Sequence, residues 1–513
     1  MPAFGPYVLG IDCGTQSLRA VVVGLDGQVA GSASREYPVQ YPQVAWAEQD
    51  AADWWQSARA AVPAALSDAG ISKDDIAGIS VDGTSCTVVV TTRDGQPLRP
   101  VILWMDQRAH KEAEQITDTE HPRLKYVSYA ESPEWMIPKA MWVAKHEPEV
   151  FDDADLIIEG TDWLMFRLTG NWAASQNNAT CKWNYASVDG GWPEGLLETL
   201  DFSELMDKWP ETVLAMGEQA GELTGKAGAD LGLKPGTPVA QGGIDAYAAM
   251  LGLEVVEPGR TALVMGTSTC PLTLSAEAIY ESHLWGPYPE ALVPDTWALE
   301  GGQTTTGAIV NWLAENFAHR EAQQAEEEGR NVFEVLDEKA AGVPPGAEGL
   351  VLLDYFQGNR TPLRDPLARG AIWGLSLRHD IGHLLRAVYE GTAMGCRHIF
   401  EDMSRAGLEV EEVYACGGGT RSDLWLQIHA NVCKKPIFLT QEPEATALGT
   451  AVCAAAGAGL FDDVTEASRE MVTVTRQIDP DPDTFDTYDA LFDRYLRTYP
   501  ALADLMHESA REQ

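Results

Sequence analysis

Tyr7-Val-Leu-Gly-Ile-Asp12-Cys-Gly-Thr-Gln-Ser17-Leu-Arg-Ala-Val-Val-Val23 decides the fold. Two apolar runs of strand length, 7–11 and 18–23, flank a short loop of small and polar residues, so the segment reads as a hairpin. Asp26-Gly27 marks a second tight turn with a third strand after it. Downstream, 53–66 has an amphipathic helical pattern despite Pro63. Residues 76–81 and 86–91 read as strands, and Asp94-Gly95 as a turn leading to a strand at 101–104. The alternation of strands and helices is α/β, with an antiparallel opening that a Rossmann sheet lacks.

A comparable opening recurs in the second half. Residues 261–265 form an apolar strand, Gly266-Thr267-Ser268 a small-residue turn, and 270–274 a return strand. The expectation is a duplicated core in two domains, 1–250 and 251–513. A third strand-then-glycine unit, 413–416 followed by Gly417-Gly418-Gly419, leads into a helical pattern at 424–432. From about 461 the chain is polar and reads as a helical packing extension.

Of the 513 residues, 45% are hydrophobic, enough to fill ordinary cores and to exclude bulk disorder. No apolar run approaches the ~18 residues of a membrane span, and the opening lacks the basic region of a secretory leader. The formal charge is -41, from 77 acidic against 36 basic residues, which argues against nucleic-acid and membrane-surface partners. Any anionic substrate then needs a local device: backbone amides, a metal ion or a few placed cations. Eight widely spaced cysteines without a CxxC pair suit free thiols in a reducing cytoplasm better than a disulfide framework or a zinc site.

The loop after Asp12 carries the strongest chemistry. A carboxylate ends a buried strand, Gly14 allows close approach of a ligand, and Thr15, Gln16 and Ser17 offer amides and hydroxyls to phosphate oxygens. Asp12 would hold Mg²⁺ directly or through water; an ordinary hairpin with a polar turn is the plainer alternative. Asp245 follows a glycine-rich apolar strand, 238–244, and suits a general base or, equally, a helix N-cap ahead of 246–250. Gly417-Gly418-Gly419 suits either a flat nucleotide base or a helix-capping turn. Lys182 and Glu300 are polar residues in apolar surroundings, open to ligand contact or to simple pairing. Gly221-Glu-Leu-Thr-Gly225-Lys226 is one residue short of a P-loop and lacks its hydroxyl.

Taken together, these segments resemble the FGGY carbohydrate kinases, of the sugar kinase/actin/heat-shock ATPase superfamily, over essentially the whole chain. Asp12 to Arg19 is similar to the first phosphate motif, Gly242 to Asp245 to the catalytic-aspartate segment, Gly266 to Ser268 to the second phosphate motif, and Gly417 to Gly419 to the adenosine motif. Ser132-Pro-Glu-Trp-Met-Ile-Pro-Lys139, Thr180-Cys-Lys-Trp-Asn-Tyr185, Leu299-Glu-Gly-Gly-Gln303 and Gln357-Gly-Asn-Arg-Thr-Pro362 look like segments of ribulokinase-type pentulose kinases. The resemblance implies two ribonuclease-H-like domains around a cleft, with sugar held mainly by the first and ATP mainly by the second. It implies Asp245 as base, Mg²⁺ at Asp12 and Asp245, and sugar contacts from Ser85, Trp104, Trp135, Lys182, Asp245 and Glu300. Nucleotide contacts would come from Gly14, Thr15, Gln16, Ser17, Arg19, Gly266, Thr267, Ser268, Gly307, Asn311, Gly417, Gly418 and Gly419. A kinase of xylulose, erythritol or another polyol is the alternative within the fold, and a non-catalytic sugar- or nucleotide-binding regulator the alternative outside it. Gly83-Thr84-Ser85 departs from the Met-His-Gly of xylulokinases and from the Arg-Glu of glycerol kinases, and Pro271 from the histidine usual in ribulokinases. A cytoplasmic protein, open to homodimer formation, completes the expectation.

Overall fold

Nearly continuous apolar character makes Tyr7–Cys13 (β1) a strand buried inside a sheet rather than at its edge. Residues 5–280 and 283–512 are described by the structure, a computed structural model. β1 is joined by β2 (Ser17–Gly24), β3 (Val29–Glu36), β4 (Ile76–Gly83), β5 (Gln219–Glu222) and β6 (Pro238–Ala240) in the order β3-β2-β1-β4-β6-β5. The first three are antiparallel, whereas β4 runs parallel to β1 and β6 parallel to β4. The second half repeats this wiring. β7 (Arg260–Met265), β8 (Thr269–Ser275), β9 (Trp285–Pro289), β10 (Trp297–Glu300), β11 (Glu412–Cys416), β12 (Ile437–Thr440) and β13 (Val474–Ile478) form a sheet ordered β9-β10-β8-β7-β11-β12-β13. Within it β7 and β8 are antiparallel, and β11 and β12 run parallel to β7. The series β3-β2-β1-β4-β6 and β10-β8-β7-β11-β12 are therefore the same ribonuclease-H-like sheet made twice.

Six helices position the site: α1 (Gln176–Lys182), α2 (Asp245–Gly252), α3 (Gly307–Phe317), α4 (Asp423–Cys433), α5 (Ala445–Gly457) and α6 (Phe485–Arg511). There are two apolar cores. One gathers Val8, Leu9, Ile79, Val81, Ala248 and Leu251, and takes in Ala447, Leu448, Ala451 and Val452 from α5. The other gathers Leu263, Met265, Leu313, Val388, Leu426 and Tyr488. Thus α5, late in the chain, packs into the core of the early half.

Two expected elements differ. The strand expected at 238–244 stops at Ala240, and beyond it only an isolated parallel bridge joins Gly83 to Ile244. At Gly242 the backbone comes so close to β4 that a Cβ would lie 2.0 Å from the Val81 carbonyl oxygen, too tight for any other residue. The tail is not wholly helical: β13 is an edge strand of five residues, four of them exposed. An exposed polar edge strand shows no apolar alternation to read. Among the described residues no helix is long and apolar enough to cross a membrane.

α2 and α5 cross in backbone contact. A Cβ on Gly449 would lie 1.7 Å from the Ala248 carbonyl oxygen, and one on Gly252 would lie 1.9 Å from that of Ala445. Gly449→Ala should therefore cost about 1–3 kcal/mol, the usual range for overpacking. Gly225→Ala, where nothing lies within 4 Å of the added methyl, should stay within about 0.5 kcal/mol of the parent in the same urea titration. Equal stability of the two variants would contradict the contact.

Candidate active site

Strand register brings the first acidic pair together. Asp12 lies opposite Asp82 in the parallel β1–β4 ladder and opposite Arg19 in the antiparallel β1–β2 ladder. Asp245 opens α2, whose start is fixed by Gly83 N donating to Gly243 O and Ile244 N donating to Asn177 Oδ1. It is the first helical residue, not the cap; its Oδ1 accepts from its neighbour Ala246 N at 2.7 Å. The three carboxyls thus meet at the carboxyl ends of parallel strands, where open α/β sheets bind ligands.

Burial dominates their titration. It pushes Asp12 up to about 6, against the pull of Arg19 and a hydrogen bond with Asp82, with Glu444 adding a smaller rise. Asp245 is pushed to about 7, first by burial and then by the charge on Asp12. Asp82, fully buried, is raised well above the usual carboxylate range by burial and by Asp12, with the Thr450 hydroxyl opposing. Thr450, on α5, donates to Asp82 Oδ2, while Asp82 Oδ1 finds no partner among the described residues. Arg19 pairs with Glu444, the residue before α5.

The two glycine-led loops share one device. In the first, Gly14 N donates to Ser17 O, and the carbonyls of Gly14, Thr15 and Gln16 accept from Tyr37 Oη, Gln49 Nε2 and Tyr37 N. In the second, Gly266 N donates to Ser268 O, and the start of α3 ties down the loop carbonyls. Gly307 N donates to Gly266 O at 3.2 Å, while Thr306 N and Ala308 N donate to Thr267 O at 3.0 and 3.1 Å. With the carbonyls held back, the amides of Thr15, Gln16, Thr267 and Ser268 have no partner among the described residues. Neutral donors arranged this way form an anion cradle. Gly417 and Gly419 pack directly on Met265 at the end of β7, and Gly418 is exposed beside them. Asn311 is exposed on α3, one turn beyond Gly307.

On the other side of Asp245, Lys182 at the end of α1 reaches across the two halves to Glu300 at the end of β10. Lys182 Nζ and Glu300 Oε1 are 2.9 Å apart and nearly buried. For Lys182 burial lowers the pKa, and Glu300 together with Cys181 more than reverses this. For Glu300 burial raises the pKa, and Lys182 together with Arg360 more than reverses that. Lys182 Nζ also lies 5.5 Å from the Trp135 ring centre. The Ser85 hydroxyl is buried without a partner among the described residues. Trp104 sits against the first loop, donating from Nε1 to Thr15 Oγ1 at 3.0 Å. Lys139, fully buried, fastens both segments: its Nζ donates to Cys86 O at 2.7 Å and to Leu103 O at 2.8 Å.

Sequence reasoning missed Asp82, Thr450, Lys139 and Glu131. Asp82 had a legible signal, since Ile79-Ser-Val-Asp82-Gly83-Thr84 repeats the strand, acid, glycine and hydroxyl order of the first loop. Thr450 and Lys139 act through long-range contacts that carry no local pattern. Divalent magnesium fits the donor set. Among the described residues no three His, Cys, Asp or Glu side chains form a ready metal cage, but Mg²⁺ needs only one or two carboxylates, its other ligands being water and phosphate. Asp12 and Asp245, each raised by burial and Asp245 also by the charge on Asp12, are relieved by a cation.

A doubled ribonuclease-H-like fold with a carboxylate cluster and paired anion loops at the seam defines a two-lobed kinase of the actin/hexokinase type. Comparison with known proteins agrees. The models "FGGY family of carbohydrate kinases", N-terminal and C-terminal domain, match residues 7–252 and 261–458. The chain belongs to this family, and is a carbohydrate kinase. It is 33% identical to "Ribulokinase" of Anoxybacillus flavithermus over 96% of this chain and 94% of that one. It is 31% identical to a human "FGGY carbohydrate kinase domain-containing protein", covering 96% of each. The solved xylulose kinase from Rhodospirillum rubrum superposes with a TM-score of 0.84 at 31% identity, covering 98% of this chain and 100% of that one.

Glu131 adds a pH-dependent element beside Asn184, two residues beyond Lys182. Burial pushes its pKa from 4.5 to about 8, opposed only by a hydrogen bond from Asn184 Nδ2. The folded state thus holds a proton that the unfolded chain releases near 4.5, so this contribution is complete below that pH and lost as pH rises through about 8. Relative to Glu131→Gln, the wild-type melting temperature should fall between pH 5.5 and 8.5; parallel curves would contradict the assignment.

Proposed function

We propose that this chain transfers the γ-phosphoryl group of ATP to a hydroxyl of a ketopentose, ribulose foremost, by in-line displacement. The observation that carries the reading is the pair of amide cradles, one on each half, together with the buried carboxyls of Asp12 and Asp245. Acceptor binding is assigned mainly to residues 1–250 and nucleotide binding mainly to 251–513, in the cytoplasm, where the eight free thiols stay reduced.

Asp245 accepts a hydrogen bond from the acceptor hydroxyl and takes its proton as the oxygen bonds to the γ-phosphorus. The bond from that phosphorus to the β–γ bridging oxygen breaks, and ADP leaves. The amides of Thr15, Gln16, Thr267 and Ser268 hold the phosphate oxygens, aided by Gly14, Ser17 and Gly266 in shaping the loops. Gly417, Gly418 and Gly419, with Gly307 and Asn311, form the side on which the nucleotide base and sugar lie. Asp12 and Asp245 would hold Mg²⁺, which when bound neutralises phosphate charge and aligns the chain of phosphates. Lys182, Glu300 and Ser85 offer donors and acceptors to the sugar's oxygens, and Trp135 and Trp104 pack against its carbons. Placement and charge neutralisation do most of the work in such a transfer.

The ribulokinase-like segments and the ribulokinase relatives favour ribulose. Likeness to a solved xylulose kinase supports xylulose as the second reading, against which Gly83-Thr84-Ser85 stands. ADP release with D- and L-ribulose, xylulose, erythritol and glycerol decides among them, and sugar-independent release alone would refute the kinase reading. On the preferred sugar, Asp245→Asn should lower kcat by about 10²–10⁴-fold with the fold intact. More than half of the parent kcat would remove Asp245 as the base.

A further inference from the structure

Arg360 is held in place by its own loop. Thr304 Oγ1 donates to Gly358 O at 3.0 Å, and Gly302 N donates to Thr361 Oγ1 at 3.3 Å. Asn359 and Asp365 exchange two backbone hydrogen bonds of 2.8 Å. The side chain lies over Gly302, where a Cβ would come 3.0 Å from Arg360 Cδ. Arg360 is open to solvent although protein crowds it on most sides, and among the described residues its guanidinium makes no hydrogen bond or ion pair. Arg99, Arg108, Arg260 and Arg386, by contrast, all have carboxylate partners.

The charges facing Arg360 locate it. The crowding protein lowers its pKa, and Glu134 from the first half and Glu300 from the second, together with Cys270 and Tyr288, more than reverse this. Asp245 feels Lys182, but neither Asp12 nor Asp245 has Arg360 among its principal charged neighbours. Its packing over Gly302, two residues beyond Glu300, places Arg360 on the Glu300 side. A guanidinium presents paired donors in a rigid fork, suited to two adjacent acceptor oxygens.

We propose that Arg360 is a further acceptor-binding residue, donating from the second half to two neighbouring oxygens of a polyhydroxylated acceptor seated against Lys182 and Glu300. This rests on the sugar-kinase reading above. Lys182 keeps one of its donors on Glu300, whereas among the described residues the whole fork of Arg360 is unengaged. By requiring two adjacent oxygens it selects ketoses and polyols of matching configuration.

Steady-state kinetics of Arg360→Gln and Arg360→Lys, with both substrates varied and melting temperatures recorded, test the assignment. Loss of a charge-assisted contact should raise the sugar KM about 10–100-fold in Arg360→Gln, with the ATP KM within about twofold. Arg360→Lys, which keeps the charge but loses the fork, should fall between. An unchanged sugar KM with a lowered melting temperature marks a structural role and overturns the proposal, as does a rise confined to the ATP KM. If the wild-type chain itself shows no sugar-stimulated turnover, the kinase reading falls and this assignment with it. Normal wild-type turnover with an unaltered sugar KM in Arg360→Gln overturns the Arg360 assignment alone.

Discussion

Mutual repulsion among Asp12, Asp82 and Asp245 is the constraint around which the rest of the molecule is arranged. Three carboxyls brought together out of water stay folded only if protons, donors or cations compensate them. Thr450 supplies a hydroxyl to Asp82, Arg19 supplies a guanidinium beside Asp12, and Asp245 sits in the first turn of α2, where the helix dipole favours negative charge. Thr450 reaches Asp82 only because α5 lies directly against β1, where Gly10 leaves room, and against α2 through Gly449 and Gly252. The helix crossing between the halves and the acidity of the site are thus parts of one arrangement.

The overall charge shapes how the site handles anions. With -41 spread over the chain, long-range attraction of a nucleotide is unavailable. The cradles at Thr15–Gln16 and Thr267–Ser268 answer this with neutral amides freed by tying the loop carbonyls elsewhere. The few cations are spent on the acceptor side, where Lys182 bridges the halves to Glu300. Breaking such a nearly buried pair at one end leaves a charge without its partner, so the bridge joins the pocket's integrity to the contact between the halves.

Much of the fold was legible because its signals are local. The hairpin at Tyr7–Cys13 and Ser17–Gly24, its counterpart at Arg260–Met265 and Thr269–Ser275, and the glycine turn before α4 show as apolar runs broken by small residues. Illegible were features set by distant contact. β6 ends at Ala240, two residues before Gly242 passes close against Val81, and β13 is an edge strand whose pairing partner, not its own pattern, makes it a strand. The site shows the same division. Asp12, Asp245 and both loops follow strand ends and could be read, whereas the pairing of Lys182 with Glu300, the grip of Lys139 on Cys86 and Leu103, and the Thr450 contact to Asp82 join residues 36 to 368 positions apart.

The central claim is that the two halves hold donor and acceptor so that phosphorus passes directly between them, with Asp245 as a base and no carboxylate ever phosphorylated. Stereochemistry at phosphorus tests it most directly. ATP made chiral at a γ-thiophosphoryl group is turned over with the preferred sugar, and the configuration of the sugar thiophosphate is read by ³¹P NMR. A single in-line displacement predicts inversion. Retention would mean two displacements through a phospho-enzyme and would contradict the account.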